Sequence, residues 1–328
     1  ALAYNTRMEK MYDVAIIGGG PAGLSAAVWL SRYLHSVILV DSGDPRNWET
    51  RGINGYLGLP GARPAELRGT GREEARKHGV ELVDATCERV ACRDEEHFNL
   101  VLGDGRHIDA RRVLLAIGLK DVWPDVPGLE RIYGATAHVC PDCDGWDCTK
   151  KKVVVIGKGR KAVGLALDLT TWTDQIIICT NGTPAALDLA EYTEKLDALN
   201  IPVIEARITC AVHDGSQLRA LQFEGGLELD ADKLFFAIGQ YPADDLGAQL
   251  GCERDSGGHV IIDDHYHTSV RNCYAAGDIV PGPQLAIAAA SDGAIAALAI
   301  HKSLVPDSRK LEHLDSVDAG SASLTTSA

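Results

Sequence analysis

The stretch Tyr12-Asp13-Val14-Ala15-Ile16-Ile17-Gly18-Gly19-Gly20-Pro21-Ala22-Gly23 decides the fold class. Its apolar run, Tyr12 to Ile17, reads as a buried strand that stops at the glycines. Pro21 to Tyr33 then has helical spacing and small residues, and a second apolar run, Val37 to Val40, ends in Asp41. A strand, a glycine loop, a helix and a second strand ending in an acid form a dinucleotide-binding unit. Gly23 and Asp41 are 18 positions apart, close to the roughly 20 of that fingerprint. The glycines let backbone N–H groups approach a pyrophosphate, and the helix N-terminus adds partial positive charge. Asp41 can accept hydrogen bonds from ribose hydroxyls.

The pattern repeats. Lys152 to Ile156 reads as a strand, Gly157 to Ala162 as a second loop, Val163 to Thr171 as a helix and Ile176 to Cys179 as the next strand. Val113–Gly118 and Leu234–Gly239 echo each other as buried strands ending in glycine. Cys273 to Val280 and an Ala-rich helical stretch from Gln284 to Ile300 come last. The expected architecture is α/β, with two Rossmann-like three-layer domains. The expected divisions are 1–117 for the first domain, 118–242 for an inserted second domain, 243–303 for the resumed first domain, and 304–328 for a polar, mobile tail.

Composition narrows the function. The chain has 328 residues, 45% of them hydrophobic but only 5% aromatic, so its cores must be built from Ala, Val, Leu and Ile, as suits parallel sheets under helices. A net charge of −14 argues against a nucleic-acid partner. The sequence contains no run of 18 apolar residues, so no membrane span is expected. Ala1 to Met11 lacks the apolar core of a secretory signal. Nine scattered cysteines do not make a secreted disulfide framework; they suit a reducing cytoplasm with one special pair. That pair is Cys140-Pro141-Asp142-Cys143, between the two glycine loops.

The ordered set Gly18–Gly23, Ala116-Ile117-Gly118, Cys140–Gly145, Ala237-Ile238-Gly239, Ala275–Asp278 and Gln284-Leu285-Ala286 resembles the low-molecular-weight thioredoxin reductase family of flavoproteins. The resemblance spans about Tyr12 to Lys302. The wording of Asp41–Asn47 and Cys140–Gly145 suggests an atypical branch. The resemblance implies FAD-dependent dithiol/disulfide oxidoreduction in a homodimer joined through its flavin domains. It puts the FAD diphosphate at Gly18, Gly20, Ala22 and Gly23, the adenosine ribose at Asp41, and adenine near the main chain of Cys87. It brings Asn54 near the isoalloxazine, Gly277 and Asp278 to the diphosphate and ribityl chain, and Gln284, Leu285 and Ala286 to the flavin pyrimidine edge. Pro21, Ser42, Asn47, Ala116 and Gly118 complete the expected FAD contacts. Cys143 becomes the flavin-side thiol, Cys140 the interchange thiol and Asp144 the acid that moves protons. Read on its own, Asp144 also suits a turn or helix cap.

A rival reading takes His138, Cys140, Cys143 and Cys148 as zinc ligands in a flavin-binding module. His265 and His267 read as a surface loop, and no metal is expected. The second loop departs from the family. NADPH needs basic residues after the second strand of its unit, yet Cys179-Thr180-Asn181-Gly182-Thr183-Pro184 has none. No acid stands there to read an unphosphorylated ribose either. Gly157, Lys158, Gly159, Arg160, Lys161, Thr180 and Asn181 therefore form a second dinucleotide site with three open readings. It binds NADPH weakly, it is a vestige, or it holds another dinucleotide such as a second FAD. The reading favours lost nicotinamide binding, and Arg160 with Lys161 tilts it toward an occupied site. The electron donor is then unassigned, with ferredoxin a candidate, and the partner is a protein or small-molecule disulfide. An NADPH-dependent thioredoxin reductase and a small-molecule dithiol oxidase remain the alternatives.

Overall fold

A computed structural model describes residues 10–46, 48–94 and 96–311. Asn47 and the tail from 312 lie outside them. The chain opens with β1 (Met11–Ile17), α1 (Pro21–Arg32) and β2 (Val37–Asp41), then α2 (Pro64–Lys77), β3 (Glu81–Asp84), β4 (Cys87–Asp94), β5 (His97–Leu102) and β6 (His107–Leu115). A short strand β7 (Leu119–Asp121) leads into the second unit: α3 (Leu129–Ile132), β8 (Ala137–His138), α4 (Pro141–Asp144), β9 (Val153–Gly157), α5 (Gly159–Leu169), β10 (Ile176–Cys179), α6 (Ala190–Ala198), β11 (Val203–Ile204), β12 (Ile208–Asp214), β13 (Gln217–Phe223), β14 (Glu228–Asp230) and β15 (Lys233–Ala237). Strand β16 (Gln240–Pro242) leads back to α7 (Leu246–Gln249), β17 (Cys273–Ala275) and α8 (Ala286–Leu304).

The first sheet runs β3-β2-β1-β6-β5-β4, and β17 also pairs with β6. Strand β6 manages this because it is long. Its first half pairs antiparallel with β5, and Val113–Leu115 pairs parallel with Cys273–Ala275. Residues separated by more than 150 positions thus share one sheet, which makes the first domain discontinuous. The second sheet runs β11-β10-β9-β15-β8 and carries an antiparallel flap, β12-β13-β14. This is the α/β architecture with two Rossmann-like units that the glycine loops imply.

Side-chain alternation explains the layers. On β1, Val14 and Ile16 pack with Leu24, Ala27 and Leu30 of α1 and with Ala296 and Ile300 of α8, while Ala15 and Ile17 face the opposite core. On β9, Val154 and Ile156 face the flap and Val153 and Val155 face α5. Helix bounds differ a little from the sequence reading. Helix α5 starts at Gly159, on the loop itself, and α8 starts at Ala286, because Leu285 is extended. Among the described residues no helix is long and apolar enough to cross a membrane.

The two units are joined by the antiparallel pair β7–β16 and clamped there by Arg46. Its Nε and Nη2 each donate to Asp121 at 2.7 Å, and its Nη1 donates to Gln284 Oε1 at 2.7 Å and to Asp278 at 3.2 Å. Gln240 of β16 donates to Asp121 Oδ1 at 3.1 Å and exchanges amide hydrogen bonds with Gln284 at 2.9 Å. Burial alone would lower the Arg46 pKa, but the fork to Asp121 holds it above its ordinary value. Burial raises the Asp278 carboxyl, and Arg46 pulls it back. Removing one partner of such a buried pair costs about 3–5 kcal/mol. Arg46→Met should lose stability in that range by urea unfolding. Arg46→Lys should recover only part, since an ammonium cannot form the two parallel bonds to Asp121.

Candidate active site

One cavity of about 770 Å³ runs from the first glycine loop to the dithiol. Gly18, Gly20, Pro21, Ala22, Asp41, Ser42, Asn54, Ala116, Gly118, Cys140, Cys143, Asp144, Gly277, Asp278, Gln284, Leu285 and Ala286 all line it. Gly23 lies under the loop. Cys87 is outside the cavity lining. It sits in the core on β4, and burial pushes its thiol up to about 12. Asn47 is outside the described residues. The second-loop residues belong to the other unit and do not reach this cavity.

The loop geometry fits a diphosphate. Gly20 has φ −79° and ψ −174°, a backbone that any residue adopts. A Cβ there would meet nothing within 4 Å, so it would project into the cavity. Gly23 is the opposite case, since a Cβ there would overlap the Gly18 carbonyl oxygen. Helix α1 begins at Pro21 and aims its N-terminus at the same space.

Asp41 is more heavily engaged than the sequence suggests. Its Oδ2 accepts from Arg68 and from Arg72 Nη1 at 3.0 Å, and its Oδ1 accepts the Gly43 N–H at 3.1 Å. Arg72 also reaches Asp84. The sequence reading missed these arginines. The usable signal was their spacing: positions 68 and 72 fall on one face of α2.

At the other end Cys140 and Cys143 are disulfide-bonded. Cys140 caps α4, its sulfur accepting the Cys143 N–H at 3.1 Å, and Pro141 starts the turn. Asn54 Nδ2 donates to the Cys143 carbonyl at 2.9 Å, tying the first domain to the dithiol. Behind it lies a polar chain. Asp144 Oδ2 is 3.3 Å from His138 Nδ1, and His138 Nε2 is 3.3 Å from Lys233 Nζ, which also donates to the Ala135 carbonyl at 3.1 Å. An ammonium on Nε2 leaves the imidazole proton on Nδ1, directed at the Asp144 carboxylate. His138 is buried and stands behind Asp144, whereas the sequence reading named it only as a zinc ligand in the rival reading. Of the four ligands of the zinc reading, Cys140 and Cys143 are bonded to each other and Cys148 donates to the Asp144 carbonyl at 3.5 Å. Among the described residues no three or more His, Cys, Asp or Glu side chains gather to hold a metal.

The second loop is differently disposed. Gly159 has φ +56°, and its N–H donates to the Ala185 carbonyl at 2.8 Å. Ala185 N–H in turn donates to Glu205 at 2.8 Å. Thr180 and Thr183 bond each other reciprocally through hydroxyl and carbonyl. The Asn181 side chain donates to Asp125 O at 3.3 Å and accepts the Ile208 N–H at 2.9 Å. Arg160 and Lys161 are exposed.

The chain belongs to the pyridine nucleotide-disulphide oxidoreductase family, whose model matches residues 12–293, and it is an oxidoreductase. A thioredoxin reductase of Bacillus subtilis (strain 168) is 27% identical over 301 residues, covering 89% of this chain and 94% of that protein. Thioredoxin reductase tcpT of Claviceps purpurea (strain 20.1) is 30% identical over 281 residues, covering 82% and 87%. Among solved structures, a putative thioredoxin reductase TrxB from Bacillus anthracis is 31% identical with a TM-score of 0.82, covering 89% of this chain and 98% of that one. HlmI is 32% identical with a TM-score of 0.84, covering 90% and 92%. The family implies FAD, and the open face at Gly20 and the long cavity fit it. Gly20→Val should therefore fold like the parent by circular dichroism yet drop from stoichiometric flavin to near none by absorbance. Gly23→Val should instead lose the fold. A fully loaded, yellow Gly20→Val protein would overturn the assignment of this loop.

Proposed function

We propose that the chain is a flavin-dependent dithiol/disulfide oxidoreductase whose second dinucleotide loop no longer binds nicotinamide. The observation that carries the first half is the shared cavity, with the Cys140–Cys143 disulfide at one end and the open Gly20 face at the other. FAD, when bound, supplies a two-electron acceptor and donor beside the disulfide. The rest falls to the chain. The Gly18–Gly23 backbone and the α1 N-terminus hold the diphosphate. Leu285 and Ala286 would offer backbone N–H groups at the start of α8, whose N-terminus favours negative charge.

Cys140 is the interchange thiol. A partner thiolate attacks Cys140 Sγ, the Cys140–Cys143 bond breaks, and Cys143 leaves as a thiolate. Asp144 relays a proton to that sulfur, drawn from the His138 Nδ1–H that faces its carboxylate. His138 and Lys233 hold the Asp144 carboxyl from behind and give it a hydrogen-bonded route toward solvent. A second partner thiol then attacks the partner sulfur of the mixed disulfide, releasing Cys140 and completing the partner's oxidation. The steps in reverse reduce a partner disulfide. We extend the reading to a homodimer in a reducing, cytoplasmic setting, acting on a protein or small-molecule disulfide.

Loss of nicotinamide rests on the Ala185 contact. Phosphate binding at a glycine loop uses its free N–H groups, and the Gly159 N–H is already taken. A second FAD would face the same obstacle, so the vestige reading is preferred over an occupied site despite Arg160 and Lys161. Electrons then enter or leave by direct access to the flavin, with a ferredoxin-type carrier one such donor. NADPH-dependent thioredoxin reduction is the second reading, favoured by what the relatives are called.

Cys140→Ser should leave Cys143 as a thiolate giving long-wavelength charge-transfer absorbance with oxidised flavin, and Cys143→Ser should not. The reverse pattern would exchange the two roles. Each missing charge-assisted contact to the 2′-phosphate costs roughly 1.5–3 kcal/mol, about 10- to 150-fold in affinity. Stopped-flow reduction by NADPH should therefore be very slow, with NADH no better, while a chemical one-electron donor reduces the flavin readily. Flavin reduction within milliseconds at micromolar NADPH would sink the lost-nicotinamide reading.

A further inference from the structure

Seven of the described cysteines are free, and they do not have equal surroundings. Cys87, Cys148 and Cys179 are solitary buried thiols, pushed up by burial to about 12, 11 and 12. Such thiols are inert. Cys252 and Cys273 are different. Cys252 follows α7, its N–H bonded to the Gly247 carbonyl at 2.9 Å. Cys273 opens β17 in the middle of the first sheet. Their sulfurs are 3.9 Å apart, and the Thr268 hydroxyl lies 3.6 Å from Cys252 Sγ.

The two thiols are also unequal in a productive sense. Cys252 is drawn down, chiefly by its hydrogen bond with Cys273 and against the effect of burial, with the charge of Arg254 assisting. Cys273, wholly buried beside Cys252, is raised. Cys252 keeps slight exposure, 6%, against 0% for Cys273. Cys252 is the less enclosed of the pair, which gives it the first attack, and Cys273 behind it is the resolving thiol. On β4 the exposed Cys92 is close enough for its charge to bear on Cys273.

We propose that Cys252 and Cys273 form a second redox dithiol in the first domain, separate from the Cys140–Cys143 centre and oxidised by hydroperoxides to an intramolecular disulfide. The Cys252 thiolate attacks one oxygen of hydrogen peroxide, the O–O bond breaks, and the other oxygen leaves as hydroxide and is protonated to water. Cys252 is then a sulfenic acid. The Cys273 sulfur attacks the Cys252 sulfur, the S–O bond breaks, and the hydroxide leaves with the Cys273 proton as a second water. Two thiols and one peroxide give one disulfide and two waters, and both electrons come from sulfur. The sulfurs must close from 3.9 Å to about 2.05 Å. The bond would staple the end of α7 to β17, beside the strand that carries Ala116 to the cavity.

The site does not depend on the proposed reaction at Cys140, so it is tested in the flavin-loaded Cys140→Ser/Cys143→Ser protein as well as in the parent. Each is treated with equimolar hydrogen peroxide while folded, then denatured, alkylated and peptide-mapped. The expected result is the loss of two titratable thiols per chain and a single cross-linked peptide pair joining 252 and 273, with Cys87, Cys148 and Cys179 alkylated in full. In Cys273→Ala, a sulfenic-acid trap should label Cys252 instead. Recovery of both Cys252 and Cys273 as free thiols, at a dose that oxidises the exposed Cys92, overturns the proposal. So does scrambled pairing in the folded parent, which decides the matter even where the alanine variant does not fold.

Discussion

The orientation of the two units rests on one guanidinium. Arg46 comes from the loop after β2 and holds Asp121 of the crossing strand β7 with two parallel bonds, while its remaining nitrogen holds Asp278 and Gln284 on the returning half of the first domain. No other link described between the units is both charged and this deeply buried. The disulfide belongs to the inserted unit and the diphosphate cradle to the enclosing one. They share a cavity only while the units keep this angle. The Asn54 bond to the Cys143 carbonyl is a consequence of that angle and reinforces it from the opposite wall. Burying four polar groups is costly unless all are paired, and here Arg46, Asp121 and Gln284 each make more than one bond while Asp278 accepts one from Arg46.

Much of the fold was legible because its signals are local. Val14–Ile17 must be a strand that stops at Gly18, and Pro21 can only start a helix. The repetition at Val153–Gly159 made the second unit visible in the same way. The crossing strands β7 and β16 were not legible as strands. Each has three residues, and their pairing joins positions more than a hundred residues apart, so no window of sequence contains the information. The start of α8 at Ala286 was missed by two residues for a similar reason. The Gln284 side chain is held by Arg46 and Gln240, and Leu285 is extended.

The site divides along the same line. Gly20, Asn54, Cys140, Cys143, Asp144, Gly277 and Gln284 were read from motifs, and all line one cavity. His138 was not, because its role exists only once β8 lies beside β15 and brings Lys233 to its far nitrogen. Asp41 was read as a free ribose acceptor. Its two arginines come from α2, a helix that no motif announces, and they leave the carboxylate fixed in place with less capacity for a ribose. The resemblance put the main chain of Cys87 near adenine; on β4 its side chain packs in the core, and the residue does not line the cavity.

The two glycine loops show how little such a motif settles alone. Both follow a buried parallel strand, and both open a helix whose first N–H groups lack intrahelical partners. At Gly20 the space beyond the backbone is open, so those groups are available to a ligand. At Gly159 the chain supplies its own acceptor, the Ala185 carbonyl, and Glu205 pins that segment by accepting the Ala185 N–H. A diphosphate would have to break both bonds and then find no basic side chain after β10 to receive a ribose phosphate. The missing arginines were visible in the sequence. The carbonyl that closes the loop was not, because it arrives from 26 positions downstream through a segment with no regular structure. The same hydrogen-bonding requirement is left open at one loop and met by the protein itself at the other. That difference is the physical ground for the proposal that the first loop serves electron transfer and the second turn geometry alone.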